Sequence, residues 1–289
     1  MNRIGITTDC VCDLPDEYLK FHDVEVVYFY ITTVTGRFKD GFEITSGNIL
    51  EYLENGGEKA ETNAPAPEEY RDFFLAQLEK YDEIIHISIS DKISLSYHNA
   101  KAALELMGES GSRVRVIDSE HLSTGIGHLV IMAVEMRNSG STTEEIAAEA
   151  EKYKCRISTS FITMNADYLY RNGRVSKAVR NICDVFSLHP VLGMKDGRII
   201  LKSIKVGNYE KSVMRYIKGE LKNNRKIDRK RLFITHAGCT VKLINAVKAR
   251  SQRLCRFEEI LVSKASATIS SNCGMGTVGV LFVRNNDVR

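Results

Sequence analysis

Two hydroxyl-bearing segments of this sequence have the residue types and the placement to bind an oxyanion. Thr62 precedes a helix pattern that begins near Pro67, and Ser94 follows the apolar strand pattern of residues 84–89. In a parallel α/β sheet, ligands bind beyond the carboxyl ends of strands and near helix N-termini. Taken singly, each hydroxyl is better explained as a helix cap or turn residue. As a pair they predict a ligand site, with Ser96 as a second-rank candidate beside them.

Arg174 and His236 are weaker candidates, because each has an ordinary structural explanation. Arg174 follows a turn and opens a helix pattern, so it is either a surface charge or a guanidinium that binds an anion. His236 ends a strand pattern, where a histidine satisfied by its neighbours is more frequent than a catalytic base. The sequence has no G-x-S-x-G elbow, so a serine hydrolase is not favoured.

The glycine-rich segment 274–279 has the spacing G-x-G-x-x-G, but it does not predict a dinucleotide site. That fingerprint requires a helix after it and an acidic residue about 20 positions later, whereas a strand pattern follows Gly279. We expect a tight loop in which bare backbone N–H groups around Gly274 approach a ligand. The two thiols Cys10 and Cys12 lack a second ligand pair at metal spacing, so no metal site is predicted.

Strand and helix patterns alternate over residues 1–155, which predicts an α/β domain with a mostly parallel sheet. One strand is expected over residues 24–33, and Asp13 is expected to cap the first helix. After residue 155 the regular alternation of strand and helix patterns ends, and Lys195-Asp196-Gly197 is a sequence typical of a hairpin turn. Hairpins mixed with helices predict a second α/β domain with a mixed sheet over residues 156–289.

The composition disfavours several classes of partner. The net charge of +3 is too balanced to predict nucleic-acid binding. No apolar run reaches the ~18 residues that span a bilayer, so stable membrane insertion is not expected. Seven scattered cysteines in a long chain favour reduced thiols and a cytoplasmic location. One basic run, residues 218–231, is explained as a solvated surface or, less often, as a docking patch for an acidic partner.

Several motifs, taken in order, resemble the DegV family of bacterial lipid-binding proteins along nearly the whole chain. Residues 8–15 are similar to the family's opening T-D-S-x-x-D-L-P, and residues 62–67 are similar to its T-S-Q-P-S-P. Further similarities are S-S-x-L-S-G-T-Y at 89–97, V-I-D-S at 116–119, Y-L-x-x-G-G-R-I-S at 168–176, and K-P-I-L followed by D-G at 189–197. Each motif alone is weak, whereas the ordered set is specific.

The resemblance implies a protein that buries a long-chain fatty acid in a cleft between two α/β domains, with Thr62 and Ser94 holding the carboxylate. It also implies that an ATP-dependent kinase makes the acyl phosphate, so the binding protein is not the catalyst, and no cofactor is expected. A carboxylate held by hydroxyls stays nucleophilic, whereas a bidentate arginine would lock it. At ~0.8 kcal/mol per CH₂, about 14 methylenes give roughly 11 kcal/mol before ordering costs.

The final loop departs from the family pattern. Asn272 stands where members of the family have the histidine of H-x-G-P-G, and an asparagine donates hydrogen bonds but does not titrate. We expect Asn272 and the backbone of Gly274 to lie beside the carboxylate. Arg174 is expected near the head group or on a face that docks the kinase.

Two interpretations from other classes remain open. The first is an enzyme acting on a lipid or a small carbonyl compound, with His236 or Cys273 as its reactive group. The second is a lipid-sensing module that uses the basic residues 218–231 to dock a partner.

Overall fold

The structure is a computed structural model that describes residues 3–58, 60–164, 167–183 and 188–285. Its strands are β1 (Ile4–Asp9), β2 (Val24–Val27), β3 (Tyr30–Thr33), β4 (Gly36–Lys39), β5 (Glu61–Asn63), β6 (Glu83–Ser88), β7 (Val114–Asp118), β8 (Ile157–Ile162), β9 (Leu188–Lys195), β10 (Arg198–Val206), β11 (Ile227–His236), β12 (Glu259–Lys264) and β13 (Val278–Arg284). Its helices are α1 (Asp16–Phe21), α2 (Ser46–Glu54), α3 (Pro67–Leu78), α4 (Ser96–Leu106), α5 (Thr124–Asn138), α6 (Thr143–Lys154), α7 (Asp167–Arg171), α8 (Lys177–Cys183), α9 (Tyr209–Leu221), α10 (Val241–Cys255) and α11 (Ala267–Cys273). The predicted α/β class is confirmed.

The first sheet has the strand order β2-β1-β6-β7 and is parallel throughout, as predicted. Its central strands β1 and β6 are covered on both faces, so every residue of β1 and all but the first residue of β6 are buried. Helices α3 and α4 pack on the face that carries Ile84, and α5 packs on the face that carries Ile85. Because β1 and β6 are parallel neighbours, the segments that follow them meet at one edge of the sheet.

The second sheet has the order β10-β9-β8-β13-β11-β12 and is mixed, as predicted. Strands β11 and β12 run parallel, and every other neighbouring pair in it is antiparallel. The expected hairpin joins β9 to β10 through Asp196 and Gly197, whose φ angles are 49° and 74°. Two positive φ angles are what a two-residue type I′ turn requires.

A third sheet, with the order β4-β3-β5, is small and antiparallel, and it corrects one prediction. The single strand expected over residues 24–33 is two strands in two sheets. The chain leaves the parallel sheet at Phe29, whose N–H donates to the Cys10 sulfur at 3.3 Å and whose carbonyl accepts from the Asp40 N–H at 2.9 Å. Thr62 lies on β5, where it is paired with Ile31 of β3.

Helix α11 is absent from the sequence prediction, because its residues are small and polar and show no amphipathic period. Its N-terminal N–H groups are satisfied by carboxylates from far along the chain. Ser266 N donates to Asp13 Oδ1 at 2.8 Å, while the N–H groups of Ala267 and Thr268 donate to the two Asp40 oxygens at 3.0 and 2.8 Å. The expectation that Asp13 caps the first helix was therefore wrong.

Helix α5 lies between the two large sheets and contacts β1, β6, β8 and β13. Eleven of its residues are buried, so its sequence is apolar almost all round. Within the described residues, no helix is long and apolar enough to cross a membrane. The division of the chain at residue 155, between α6 and β8, stays a prediction.

Candidate functional site

A cavity of about 820 Å³, its mouth included, lies between the parallel sheet and the mixed sheet. Phe29, Ile89 and Leu122 line it from the side of the parallel sheet. Phe161 and Leu281 line it from the mixed sheet. A wall made of these side chains favours an apolar ligand.

The cavity opens into a wider, polar cleft. Thr62, Ser94 and Arg174 line both spaces, so they mark the boundary between the apolar interior and solvent. The structure therefore brings together at one mouth three of the residues that the sequence singled out.

Ser94 lies in the turn between β6 and α4, two residues before the helix begins. Its Oγ accepts a hydrogen bond from the N–H of Ser96 at 3.2 Å. Among the described residues nothing accepts the hydrogen of the Ser94 hydroxyl itself. That hydrogen is available to a ligand at the mouth.

Asp9, at the end of β1, anchors both ends of the turn that carries Ser94. Its Oδ2 accepts from Ile89 N at 2.9 Å and from the Ser96 hydroxyl at 2.7 Å, and its Oδ1 accepts from the Tyr70 hydroxyl at 2.7 Å. Burial opposes ionisation, but the nearby His86 and these donors leave the pKa of Asp9 below its ordinary value. Ser96, a predicted ligand-binding residue, is fully buried in this network and does not line the cavity.

Thr62 is paired with Asn272, although the two residues are more than 200 positions apart. Asn272 Nδ2 donates to Thr62 Oγ1 at 3.4 Å and to the carbonyl of Thr268 at 2.8 Å. As with Ser94, no described residue accepts the hydrogen of the Thr62 hydroxyl. The mouth therefore holds two hydroxyls whose oxygens accept from nitrogen and whose hydrogens remain to be donated.

Arg174 is a partly buried cation at the mouth. One of its nitrogens donates to the carbonyl of Asn172 at 2.7 Å, and no described carboxylate pairs with it. The side chain is partly buried, and this burial lowers the pKa of Arg174. A guanidinium in this state favours an anion beside it.

Most hydroxyl-bearing residues of the inner wall are hydrogen-bonded within the protein. Thr268 is an exception, because its Oγ1 is buried and has no partner among the described residues. Thr277 donates to the carbonyl of Cys273 at 2.8 Å, and Ser123 donates to Asp13 Oδ2 at 2.5 Å. Thr235 is hydrogen-bonded to Thr124 at 2.7 Å. These hydroxyls are satisfied within the protein, so the wall they line is less polar than its residue types suggest.

Two more hydroxyls of the inner wall are oriented by aromatic partners. Thr159 contacts His121 Nδ1 at 3.0 Å. His121 must donate from Nε2 to the carbonyl of Lys154, and burial lowers its pKa to about 4, so its Nδ1 accepts the hydrogen of Thr159. Ser160 in turn donates to Tyr216, whose own hydrogen goes to the carbonyl of Ser160.

Gly274, whose backbone is predicted to lie beside the carboxylate, has its N–H hydrogen-bonded within the protein. Its φ of 76° ends α11, its N–H donates to the carbonyl of Ser270 at 2.9 Å, and it lies outside the cavity lining. A Cβ at this position would lie 2.7 Å from the ring of Tyr168, so a glycine is needed here for the Tyr168 ring to pack against the backbone. The N–H of Gly276 is likewise taken by the carbonyl of Ala237.

His236 and Cys273 both line the cavity but are not assembled for catalysis. Strand alternation places His236 on the side of Ile234, which belongs to the core beyond the mixed sheet. Burial and the charge of Lys264 lower the pKa of His236. Burial raises the pKa of the Cys273 thiol to about 12, and no hydrogen bond joins these two residues in the described part of the chain.

Sequence reasoning singled out Thr62, Ser94 and Asn272 but missed the inner wall and most of the anchoring. The position of Asp9 at a strand end was a signal that it orients nearby loops. No local pattern indicated where the hydroxyls of Thr159 or Ser160 would point, because their partners are distant in the sequence.

Fold and site together define an α/β protein with a narrow apolar cavity whose mouth carries hydroxyl donors and a partly buried arginine. A sequence profile of the DegV family of uncharacterised proteins matches residues 3–285. The chain belongs to the DegV family.

Relatives and solved structures agree with this assignment. A DegV domain-containing protein of Caldanaerobacter subterraneus is 29% identical over 98% of this chain and 99% of its own length. The structure described as showing fatty acid binding of a DegV family protein from Thermus thermophilus is 26% identical, with a TM-score of 0.85 over 98% of this chain and all of that one. The fatty acid kinase B3 protein of Streptococcus pneumoniae, loaded with linoleic acid, shares the fold at a TM-score of 0.85 and 19% identity over 98% of this chain and all of that one.

Proposed function

We propose that this protein binds a long-chain fatty acid, with the acyl chain in the cavity and the carboxylate at the mouth. The observation that carries the proposal is the pair of available O–H donors on Thr62 and Ser94 where an apolar cavity meets a polar cleft. The DegV protein of Thermus thermophilus, described as binding fatty acid, supports it. Tail burial supplies the affinity, at about 0.8 kcal/mol per methylene before ordering costs.

We further propose that the bound acid is presented to an ATP-dependent fatty acid kinase. In that reaction a carboxylate oxygen attacks the γ-phosphorus of ATP, the new O–P bond forms, and the bond to the departing ADP oxygen breaks. Neutral hydroxyl donors keep the carboxylate nucleophilic, and Arg174 stands in the open cleft where the phosphoryl group would arrive. The predicted cytoplasmic location belongs to this proposal, because the kinase uses ATP.

Mass spectrometry of the purified protein, native and then denatured, tests the binding proposal. We expect one long-chain acid per protein molecule, released on denaturation and regained when the delipidated protein is titrated with hexadecanoic acid. An empty protein that takes up no acid in the titration would contradict it.

Trapping of the product with hydroxylamine tests the presentation step. With a fatty acid kinase catalytic subunit and ATP, we expect an acyl hydroxamate whose formation requires this protein. Arg174→Gln should reduce the rate, whereas Arg198→Gln, a change at another arginine of the same cleft, should reduce it less. Binding of the acid without any hydroxamate would separate the two proposals and remove the second.

The two other interpretations receive less support. The neutral thiol of Cys273 and the separate orientation of His236 do not make a nucleophile with its base. In the basic run, Lys230 pairs with Glu135 at 2.7 Å and Arg231 pairs with Glu259 at 2.6 Å. Part of that charge is therefore used within the chain and not offered to a partner.

A further inference from the structure

The amide of Asn272 has one possible orientation. Its Nδ2 lies 2.8 Å from the carbonyl oxygen of Thr268 and 3.4 Å from Thr62 Oγ1. A carbonyl oxygen only accepts hydrogen bonds, so the amide nitrogen and not the amide oxygen must face Thr268.

This orientation uses both hydrogens of the amide nitrogen. Asn272 consequently has no hydrogen left to donate to a carboxylate, in contrast to the sequence prediction. It acts on the carboxylate through Thr62, because its N–H occupies the Thr62 oxygen and leaves the Thr62 hydrogen for the ligand.

The other atom of the amide, Oδ1, is buried and has no hydrogen-bond partner among the described residues. A buried acceptor without a donor is unfavourable. Oδ1 belongs to the same planar group that contacts Thr62, and Asn272 lines the cavity just inside the mouth. The side-chain amide of Asn272 is therefore the group beside which the first carbons of a bound acid would pass.

A carboxylate oxygen would be repelled by Oδ1, because both are acceptors. A hydroxyl on the acyl chain is the complementary group, since it can donate to Oδ1 while the carboxylate accepts from Thr62 and Ser94. A hydroxyl on C2 or C3 is close enough to the carboxylate for both contacts to form together.

We propose that Asn272 makes this site selective for long-chain acids that carry a hydroxyl on C2 or C3. The inference rests on the proposed function and names the ligand class of the same site. Asn272 is the specificity-determining residue, and the acceptor it presents is the feature that distinguishes the hydroxylated acid.

Competition titration of the delipidated protein with three probes tests the inference: hexadecanoic, 2-hydroxyhexadecanoic and 3-hydroxyhexadecanoic acid. We expect one of the hydroxylated acids to bind about tenfold more tightly than hexadecanoic acid, the effect of one hydrogen bond to a buried acceptor. In Asn272→Leu the ratio of the two affinities should fall to about one, even if both acids bind more weakly.

Thr235→Val is the matched control, because it removes a hydroxyl from the inner wall without touching Asn272, and it should keep the wild-type ratio. Hydroxylated acids that bind no better than hexadecanoic acid to the wild-type protein would overturn the inference, as would a preference that survives in Asn272→Leu. The wild-type ratio decides by itself if Asn272→Leu does not fold. Failure of all three acids to bind would instead overturn the proposed function.

Discussion

The mouth and the inner wall of the cavity are both lined by serine and threonine, but the two regions use these residues in opposite ways. At the mouth, Thr62 and Ser94 accept hydrogen bonds from nitrogen, and no residue in the described part of the chain accepts their hydrogens. Along the inner wall, Thr159 and Thr277 give their hydrogens to partners within the protein. The direction of the hydrogen bond, and not the residue type, determines whether a hydroxyl offers polarity to the ligand.

This difference explains how one continuous cavity suits an amphiphile. The polar end needs hydroxyls that are held in place but whose hydrogens are not donated within the protein. The apolar end needs buried hydroxyls that are fully satisfied, because an unsatisfied one would be costly and would attract water. Substitutions that act on only one of the two regions therefore test the comparison.

The largest effect is expected from removing both donors at the mouth. Thr62→Val with Ser94→Ala should weaken the binding of hexadecanoic acid by about 10²–10⁴-fold, because each hydrogen bond to a charged group contributes about 1.5–3 kcal/mol. Titration of the delipidated proteins measures this change. The free energy of unfolding should fall by only about 1 kcal/mol for each substitution, because Asn272 Nδ2 and the Ser96 N–H each lose an acceptor. Unchanged affinity would show that the carboxylate does not bind at the mouth.

A second prediction concerns Asp13, which holds the hydroxyl of Ser123 in the inner wall. Burial raises the pKa of Asp13 to about 7, although hydrogen bonds from Ser123 and Ser266 oppose the shift. The folded state thus binds a proton that the unfolded state has already released. Stability should fall as the pH rises from about 4 to about 7, by up to about 4 kcal/mol from this group.

Urea unfolding at a series of pH values checks the effect of Asp13. In Asp13→Asn, where the side chain cannot ionise, this part of the pH dependence should disappear. Equal slopes in the variant and the wild type would mean that Asp13 is ionised throughout and that the inner wall tolerates its charge.

A third prediction concerns Asp9, which anchors the mouth. Asp9→Asn replaces one acceptor oxygen by a donor that faces other donors, so we expect a loss of about 2–3 kcal/mol in the free energy of unfolding. The affinity for hexadecanoic acid should also fall, because Ile89 N and the Ser96 hydroxyl fix the ends of the turn that carries Ser94. A loss of stability with full affinity would show that the turn keeps its shape without this anchor.

The pH response should separate Asp9 from Asp13. The pKa of Asp9 is below its ordinary value, so its contribution to stability is present above about pH 4 and is lost as the pH falls through that lowered pKa. Acid unfolding of the wild type and Asp9→Asn below about pH 4 measures this contribution.

The smallest effect on binding is expected at the inner wall. Thr235→Val keeps the shape of the side chain and removes a hydroxyl that already bonds to Thr124. Affinity for hexadecanoic acid should change by less than about twofold, while stability should fall by about 1 kcal/mol because Thr124 loses its partner. A large loss of affinity would mean that the ligand uses this hydroxyl and that the two regions do not differ.

Much of the architecture could be predicted from local patterns. The buried runs of β1 and β6, the capping box at Thr142 that begins α6, and the Asp196-Gly197 turn are each encoded by neighbouring residues. Such features can be predicted, because burial on both faces, a helix cap and a positive φ each require particular residue types at or near the position itself.

Other features could not be predicted from the sequence, because their partners are distant along the chain. Helix α11 is capped by Asp13 and Asp40 from the other half of the chain. The chain leaves the parallel sheet after Val27 and enters the small sheet at Tyr30, and Cys10 binds the backbone between them. Nothing close to these residues in the sequence signals such partners.

The sequence by itself determined the α/β class, the order of most of its elements and the identity of the hydroxyls Thr62 and Ser94 as candidates. Only the tertiary structure decided that Ser96 and Gly274 are used within the protein. It also decided that, among the described residues, nothing accepts the hydrogens of Thr62 and Ser94 and nothing donates to Asn272 Oδ1. The reason is that a hydroxyl or an amide takes its direction from whichever donor or acceptor folding brings beside it. Those partners are separated along the chain by as many as about 200 residues.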